Sequence, residues 1–125
     1  MRFLAPLFTA ILFALIATAP GQAEVIKTGN FVGFNGKTVK GTATIEKKNS
    51  KTILTLSKSF RSSFGPSLFV HLGTSSDLGF ELSKLKKRKK SQSYVIPSSV
   101  DISKISGVHI YCKPFSVVFG SATLK

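Results

Sequence analysis

Turn signals recur along this chain roughly every 8–15 residues from Glu24 onward, a spacing typical of an all-β sandwich or barrel. Asn35-Gly36 is the strongest of them, because both residues tolerate the positive φ angles of a tight hairpin turn. Between Val39 and Glu46, apolar or small residues alternate with polar ones, as in a half-buried strand. Lys47–Lys51 is polar, contains an asparagine and predicts the next turn. The pattern therefore predicts a small antiparallel β-sandwich or barrel.

The same alternation continues in the second half of the chain. In Leu68–Leu72, the Leu and Val side chains are predicted to face one side of a strand, with Phe69 and His71 on the other. Tyr94–Ile96 predicts a further short strand. The apolar residues of Leu78–Leu85 fit neither a strand nor a helix clearly, so this segment stays unassigned.

The last two predicted strands, Val108–Cys112 and Phe115–Phe119, are separated only by Lys113-Pro114. Because proline cannot donate a hydrogen bond to a sheet, we expect the chain to bend or to switch sheets there. Before this pair, Asp101–Ser106 is compatible with a single helical turn. No helical periodicity persists for more than two turns anywhere in the chain.

The N-terminus has the features of an export signal. Arg2 precedes an apolar run from Phe3 to Ala19, and Gly21-Gln22-Ala23 places small residues at the −3 and −1 positions of a cleavage site. These features predict a signal peptide at residues 1–23 and one domain at residues 24–125, exported to the periplasm or the extracellular space. The run is short for a membrane span of about 20 apolar residues, so a retained anchor is the less favoured alternative.

The chain is strongly basic, with 18 Lys and Arg against 5 Asp and Glu and a formal net charge of +13. Such a charge favours anionic partners, namely an anionic membrane surface or an acidic polysaccharide. Nucleic acid is not expected, because the chain is predicted to be exported. Six basic residues form one dense cluster, which is either a solvated loop extended by charge repulsion or a patch for an anionic surface. They are Lys84, Lys86, Lys87, Arg88, Lys89 and Lys90.

Signatures of enzymes are mostly missing. The few acidic residues are scattered, and no Gly-rich phosphate loop or paired-cysteine motif occurs, so the sequence leans against an enzyme without excluding one. His71 and His109 are predicted to lie opposite the apolar rows of their strands. They could reach a metal or haem if those strands are neighbours; the alternative is two partly exposed histidines with no special role. A closed structural zinc site is not expected from so few ligands.

Cys112 is the only cysteine, so no disulfide can form within the chain. In an oxidising compartment such a residue is either a buried small hydrophobe or a reactive thiol. A bend at Pro114 could lift the sulfur towards solvent beside the Lys113 ammonium, which would favour the thiolate. Alternatively, Cys112 faces inward with Val108 and Ile110. The sequence leaves both alternatives open.

Five motifs occur in one order along the chain: Gly41-Thr42-Ala43-Thr44-Ile45, Gly65-Pro66-Ser67-Leu68-Phe69-Val70-His71-Leu72, Tyr94-Val95-Ile96-Pro97, Cys112-Lys113-Pro114-Phe115 and Phe119-Gly120-Ser121-Ala122. Taken together they resemble the DM-thirteen domain, which is often labelled an electron-transfer domain and occurs in extracellular proteins, sometimes beside DOMON domains. The resemblance extends from about Gly29 to Leu124. It implies a secreted β-rich domain in which Cys112 is the redox centre, as a bare thiol or as a ligand to a prosthetic group such as haem, and it implies a redox partner protein. Lys84–Lys90 departs from the short Gly/Asn-containing turn that the family usually has there.

Overall fold

A computed structural model describes residues 22–125, so the predicted signal peptide lies outside the described residues except for Gln22 and Ala23. The described part contains ten strands and one short 3-10 helix, and none of its helices is long and apolar enough to cross a membrane. The elements are β1 (Glu24–Gly33), β2 (Val39–Lys40), β3 (Thr42–Lys48), β4 (Lys51–Leu56), β5 (Arg61–Ser62), β6 (Leu68–Gly73), β7 (Phe80–Lys84), β8 (Gln92–Ile96), the 3-10 helix (Ile102–Lys104), β9 (Gly107–Cys112) and β10 (Val117–Thr123).

Eight strands form one antiparallel sheet in the order β7-β6-β9-β10-β1-β3-β4-β8. The segment between β7 and β8 brings the two edge strands together: the Leu85 N–H donates to the Leu68 carbonyl at 2.8 Å, and the Lys86 N–H donates to the Tyr94 hydroxyl at 2.9 Å. The sheet is therefore a nearly closed barrel, and β2 and β5 form a separate two-stranded sheet. This confirms the predicted all-β antiparallel fold.

The core consists of the inward-facing residues of this barrel. Val70, Leu72, Val108 and Ile110 are completely buried, since β6 and β9 pair with Val70 opposite Ile110 and Leu72 opposite Val108. Burying one such side chain contributes about 1.5–3 kcal/mol. The predicted alternation on both strands is confirmed, and it determines which side chains enter the core.

The turns follow the local residue chemistry. Asn35 and Gly36 have φ angles of 54° and 73°, and the Lys37 N–H donates to the Phe34 carbonyl, which confirms the predicted tight turn. A second tight turn joins β3 to β4 within the predicted Lys47–Lys51 segment. The predicted helical turn is the 3-10 helix, whose first residues are capped by the Asp101 carboxylate.

Three local features differ from the sequence analysis. The predicted Val39–Glu46 strand is divided at Gly41, whose φ of 104° directs β2 away from β3. The unassigned Leu78–Leu85 segment contains β7, which pairs with β6 through a bulge after Val70. At Pro114 the chain bends, as expected, but it does not switch sheets, and the strand predicted from Phe115 begins only at Val117. The bend is a hairpin turn between β9 and β10 in which the Ser116 N–H donates to the Lys113 carbonyl, so the missing proline donor is not needed.

Candidate functional site

Cys112 is the last residue of β9, and its side chain is 0% exposed. Its strand neighbours are Leu68 on β6 and Val117 on β10. It faces the same side as Val108 and Ile110, as the inward alternative predicted. The expected lift of the sulfur towards solvent is therefore not observed, because the hairpin turn continues the sheet instead of turning the strand end outward.

The Lys113 ammonium is engaged on the opposite face of the sheet from Cys112. Its Nζ lies 2.9 Å from Glu81 Oε1 and 4.8 Å from the centroid of the Phe69 ring. Phe69 alternates with the inward-facing Leu68 and Val70, so it marks the outer face of β6. Stabilisation of a Cys112 thiolate by this ammonium, one of the two sequence-based alternatives, is thus not supported by the geometry.

His71 and His109 are directly opposite each other on the neighbouring strands β6 and β9. The sequence analysis required β6 and β9 to be neighbours if the two histidines were to share a ligand, and the two strands are neighbours. Both side chains are buried, with 7% and 4% of the residue surface exposed, so the expectation of partly exposed histidines is wrong. The segment from Thr74 to Leu78 covers His109. The two rings lie on the opposite face of the sheet from the Cys112 sulfur.

His109 is fixed by a polar network. Its Nε2 lies 2.8 Å from the Thr74 carbonyl and 3.2 Å from the Asp77 carbonyl, so this nitrogen carries a proton and donates. Its Nδ1 lies 2.6 Å from Ser121 Oγ on β10, and in the neutral ring it accepts the hydroxyl proton. Both nitrogens of His109 are therefore occupied, which explains why the ring can be buried without penalty.

His71 is buried without such a network. Neither ring nitrogen has a hydrogen-bond partner, and Nε2 lies 3.8 Å from Glu81 Oε1. The ring packs edge-on against Tyr111, with centroids 5.3 Å apart. Loss of hydration lowers the pKa of His71, the Glu81 carboxylate and the Gly79 backbone partly oppose this effect, and His109 and Lys113 add to it. The structure thus holds an uncharged imidazole beside a carboxylate–ammonium pair.

We expect His71 to make the fold sensitive to acid. Since the pKa of His71 is lowered in the folded state, the unfolded chain binds the proton first as the pH falls below about 6.5. The contribution to stability is complete above that pH and is lost progressively down to the lowered folded pKa. Urea unfolding at pH 7.5 and pH 5 should show a smaller loss of stability in acid for His71→Phe than for the wild-type protein. Equal losses in both proteins would contradict this assignment.

The residues present do not fit a haem ligated by Cys112. The sulfur is enclosed by the packed core, and Cys112 lines none of the four described surface cavities, which have volumes of about 340–410 Å³. Both nitrogens of His109 are engaged, and His71 lies on the other face of the sheet. Within residues 22–125, no three His, Cys, Asp or Glu side chains gather as a metal site would require.

The basic cluster from Lys84 to Lys90 is not an extended, repelling loop. The Gln92 amide accepts a hydrogen bond from the Lys87 N–H and donates one to the Lys87 carbonyl, at 3.2 and 2.8 Å. The Lys90 N–H donates to the Phe60 carbonyl at 3.0 Å, and the Arg88 carbonyl accepts from the Ser62 N–H at 2.8 Å. The backbone is therefore held in one conformation, while the charged side chains remain exposed.

Two further basic residues join this cluster, and the sequence analysis missed them. Lys40 on β2 and Arg61 on β5 line one cavity of about 410 Å³ together with Arg88 and Lys89. No linear pattern could have revealed this, since the residues are far apart in sequence. Only the small β2–β5 sheet brings them together.

Comparison with known proteins gives one family. Neither a curated protein nor a solved structure shows significant similarity to the chain. The family model described as Electron transfer DM13 matches residues 30–124, which include every strand from β2 to β10 as well as Cys112. Its description agrees with the family suggested by the sequence motifs. The chain therefore belongs to the Electron transfer DM13 family.

Proposed function

We propose that this chain is an exported redox domain in which Cys112 is the reactive group. The observation that carries the redox role is the family match, since it spans β2 to β10 and the end of β1. Export is supported by the apolar, small-residue N-terminus of the sequence. If export is correct, N-terminal sequencing of the secreted protein finds Glu24 as the first residue; an intact Met1 would contradict it.

The chemistry compatible with a buried, solitary thiol is exchange with an external disulfide. The Cys112 thiolate attacks one sulfur of the partner disulfide, a mixed disulfide forms, and the second partner sulfur leaves as a thiolate that takes up the proton. Cys112 is at the end of β9, next to the Lys113–Ser116 turn, so fraying of this hairpin exposes the sulfur without unfolding the barrel. Burial between exchanges protects the thiol from irreversible oxidation.

Glutathione disulfide tests this role directly. Below the urea concentration at which the barrel unfolds, the wild-type protein should gain one glutathione per chain by intact-mass analysis, and a reductant should remove it. Cys112→Ala should gain none while remaining folded. Cys112→Ser should be less stable by about 1–3 kcal/mol, because it places a hydroxyl in an apolar core. If the wild-type protein forms no adduct before it unfolds, Cys112 is only a core thiol.

A second function is favoured by the fixed basic cluster. Within residues 22–125, Lys113 and Glu81 form an ion pair and the uncharged His71 lies beside the same carboxylate, so no carboxylate neutralises Lys84–Lys90. Charges held on an ordered backbone and left unpaired are suited to an anionic membrane surface or an acidic polysaccharide. In this proposal the barrel is attached to such a surface through the cluster.

This attachment should depend steeply on salt, since exposed charges are screened beyond about 8 Å at physiological ionic strength. Replacing Lys86, Lys87, Arg88, Lys89 and Lys90 with Ser should abolish binding to anionic vesicles or heparin. Because backbone atoms make most of the bonds that hold the segment, the melting temperature should change little. Undiminished binding by the substituted protein would show that the cluster is only a solvated surface.

A further inference from the structure

The cavity shared by β2, β5 and the basic cluster is lined by positive charges and hydroxyl groups. Four of its residues are cationic, and three carry hydroxyl groups. All four cationic residues are exposed, whereas Ser62 is 2% exposed and lies in the floor. The lining residues are Thr38, Lys40, Arg61, Ser62, Ser63, Arg88 and Lys89.

Three of the cationic residues lie in one row across the strands. Lys40 is the register partner of Arg61, and Arg61 forms a β-bridge with Lys89. Like charges directly opposite each other destabilise a sheet. No acidic side chain of the described residues pairs with any of the three. An anion placed between them would remove this repulsion.

The fourth cation, Arg88, is already positioned. Its Nη1 donates to the Ser62 carbonyl at 3.2 Å, and its guanidinium lies over the Phe64 ring, with Cζ 5.6 Å from the centroid. The remaining guanidinium N–H groups are left for a ligand. Ser63 Oγ accepts the Thr38 N–H at 2.8 Å, so its own proton is also available. These two donors are therefore ordered before any ligand arrives.

We propose that this cavity binds the phosphate group of an anionic phospholipid. A tetrahedral oxyanion accepts several hydrogen bonds at once, and a guanidinium matches its geometry. Phe64 lies beside Arg88, and 73% of its surface is exposed. At a membrane surface this apolar ring would insert at the boundary between the headgroups and the acyl chains. The inference rests on the second proposed function and narrows it to one site and one headgroup chemistry.

Vesicle sedimentation tests the site, using phosphatidylcholine with and without phosphatidylglycerol at physiological ionic strength. The triple variant Lys40→Ser, Arg61→Ser, Lys89→Ser removes the row of charges. A matched triple, Lys47→Ser, Lys48→Ser, Lys51→Ser, removes the same charge from the hairpin that joins the end of β3 to the start of β4. The first should bind the anionic vesicles at least about tenfold more weakly than the second. Phe64→Ser should also weaken binding to these vesicles, and inorganic phosphate should shift the amide resonances of Arg61 and Lys89.

The other possible results would overturn the phospholipid site, the surface attachment, or both. Equal losses in the two triples would show that only net charge matters, which overturns the site but leaves surface attachment standing. The same conclusion follows if Lys86→Ser, Lys87→Ser abolishes binding while the row variant binds normally. Binding to heparin without binding to vesicles would replace the phospholipid with a polysaccharide. A wild-type protein that binds no anionic surface and shows no phosphate shifts would overturn both the site and the second proposed function.

Discussion

A thiol reagent is expected to modify Cys112 at least ~100-fold more slowly in the native protein than in the unfolded chain. The sulfur is fully enclosed, so modification requires an opening of the end of β9. An opening that costs about 3 kcal/mol populates the reactive form at roughly one part in a hundred, since each 1.4 kcal/mol is a factor of ten. The measurement is the rate of colour release from an aromatic disulfide reagent, with and without denaturant.

The urea dependence of this rate separates two kinds of opening. If the β9–β10 hairpin frays locally, the labelling rate rises with a shallower urea dependence than global unfolding. If the whole barrel must open, the two dependences coincide, and exchange with a partner disulfide is limited to the unfolded chain. A native labelling rate equal to the unfolded rate would contradict the burial of Cys112 itself.

Gly41→Ala should destabilise the protein by about 3 kcal/mol or more. Gly41 has a φ of 104°, which residues with a Cβ rarely adopt. An added Cβ would also lie 2.7 Å from the Phe60 Cα and 2.8 Å from its backbone nitrogen. Backbone atoms cannot move aside as a flexible side chain does. Because Gly41 separates β2 from β3, the substitution should also disturb the cavity beside Lys40 and Arg61.

Gly36→Ala is the matched control. Gly36 also has a positive φ, 73°, but nothing lies within 4 Å of a Cβ built there. The expected cost is about 1 kcal/mol, from backbone strain alone. Urea unfolding of both variants measures the difference. Similar losses would show that the approach of Phe60 to Gly41 does not constrain the fold.

The alternation of side chains was readable from the sequence because it is a local property of a strand. Val108, Ile110 and Cys112 share one face, and His109 and Tyr111 share the other, whatever the strands pair with. The tight turn at Asn35-Gly36 is local in the same way, since it needs only two residues that tolerate positive φ. These patterns, together with the family motifs, were enough to predict an all-β domain of the family that the comparison shows.

The neighbours of each strand were decided only by the tertiary structure, because pairing depends on contacts between residues far apart in the chain. Burial of Cys112 requires Leu68 and Val117 beside it, which its own segment does not specify. Whether the chain bends within one sheet or switches sheets at Pro114 likewise depended on whether β10 paired with β9. The proximity of Lys40, Arg61 and Lys89 is also tertiary, since their charges alone would separate them. The sequence by itself determined the faces of the strands, while the packing of the whole barrel decided which side chains meet and which thiol is enclosed.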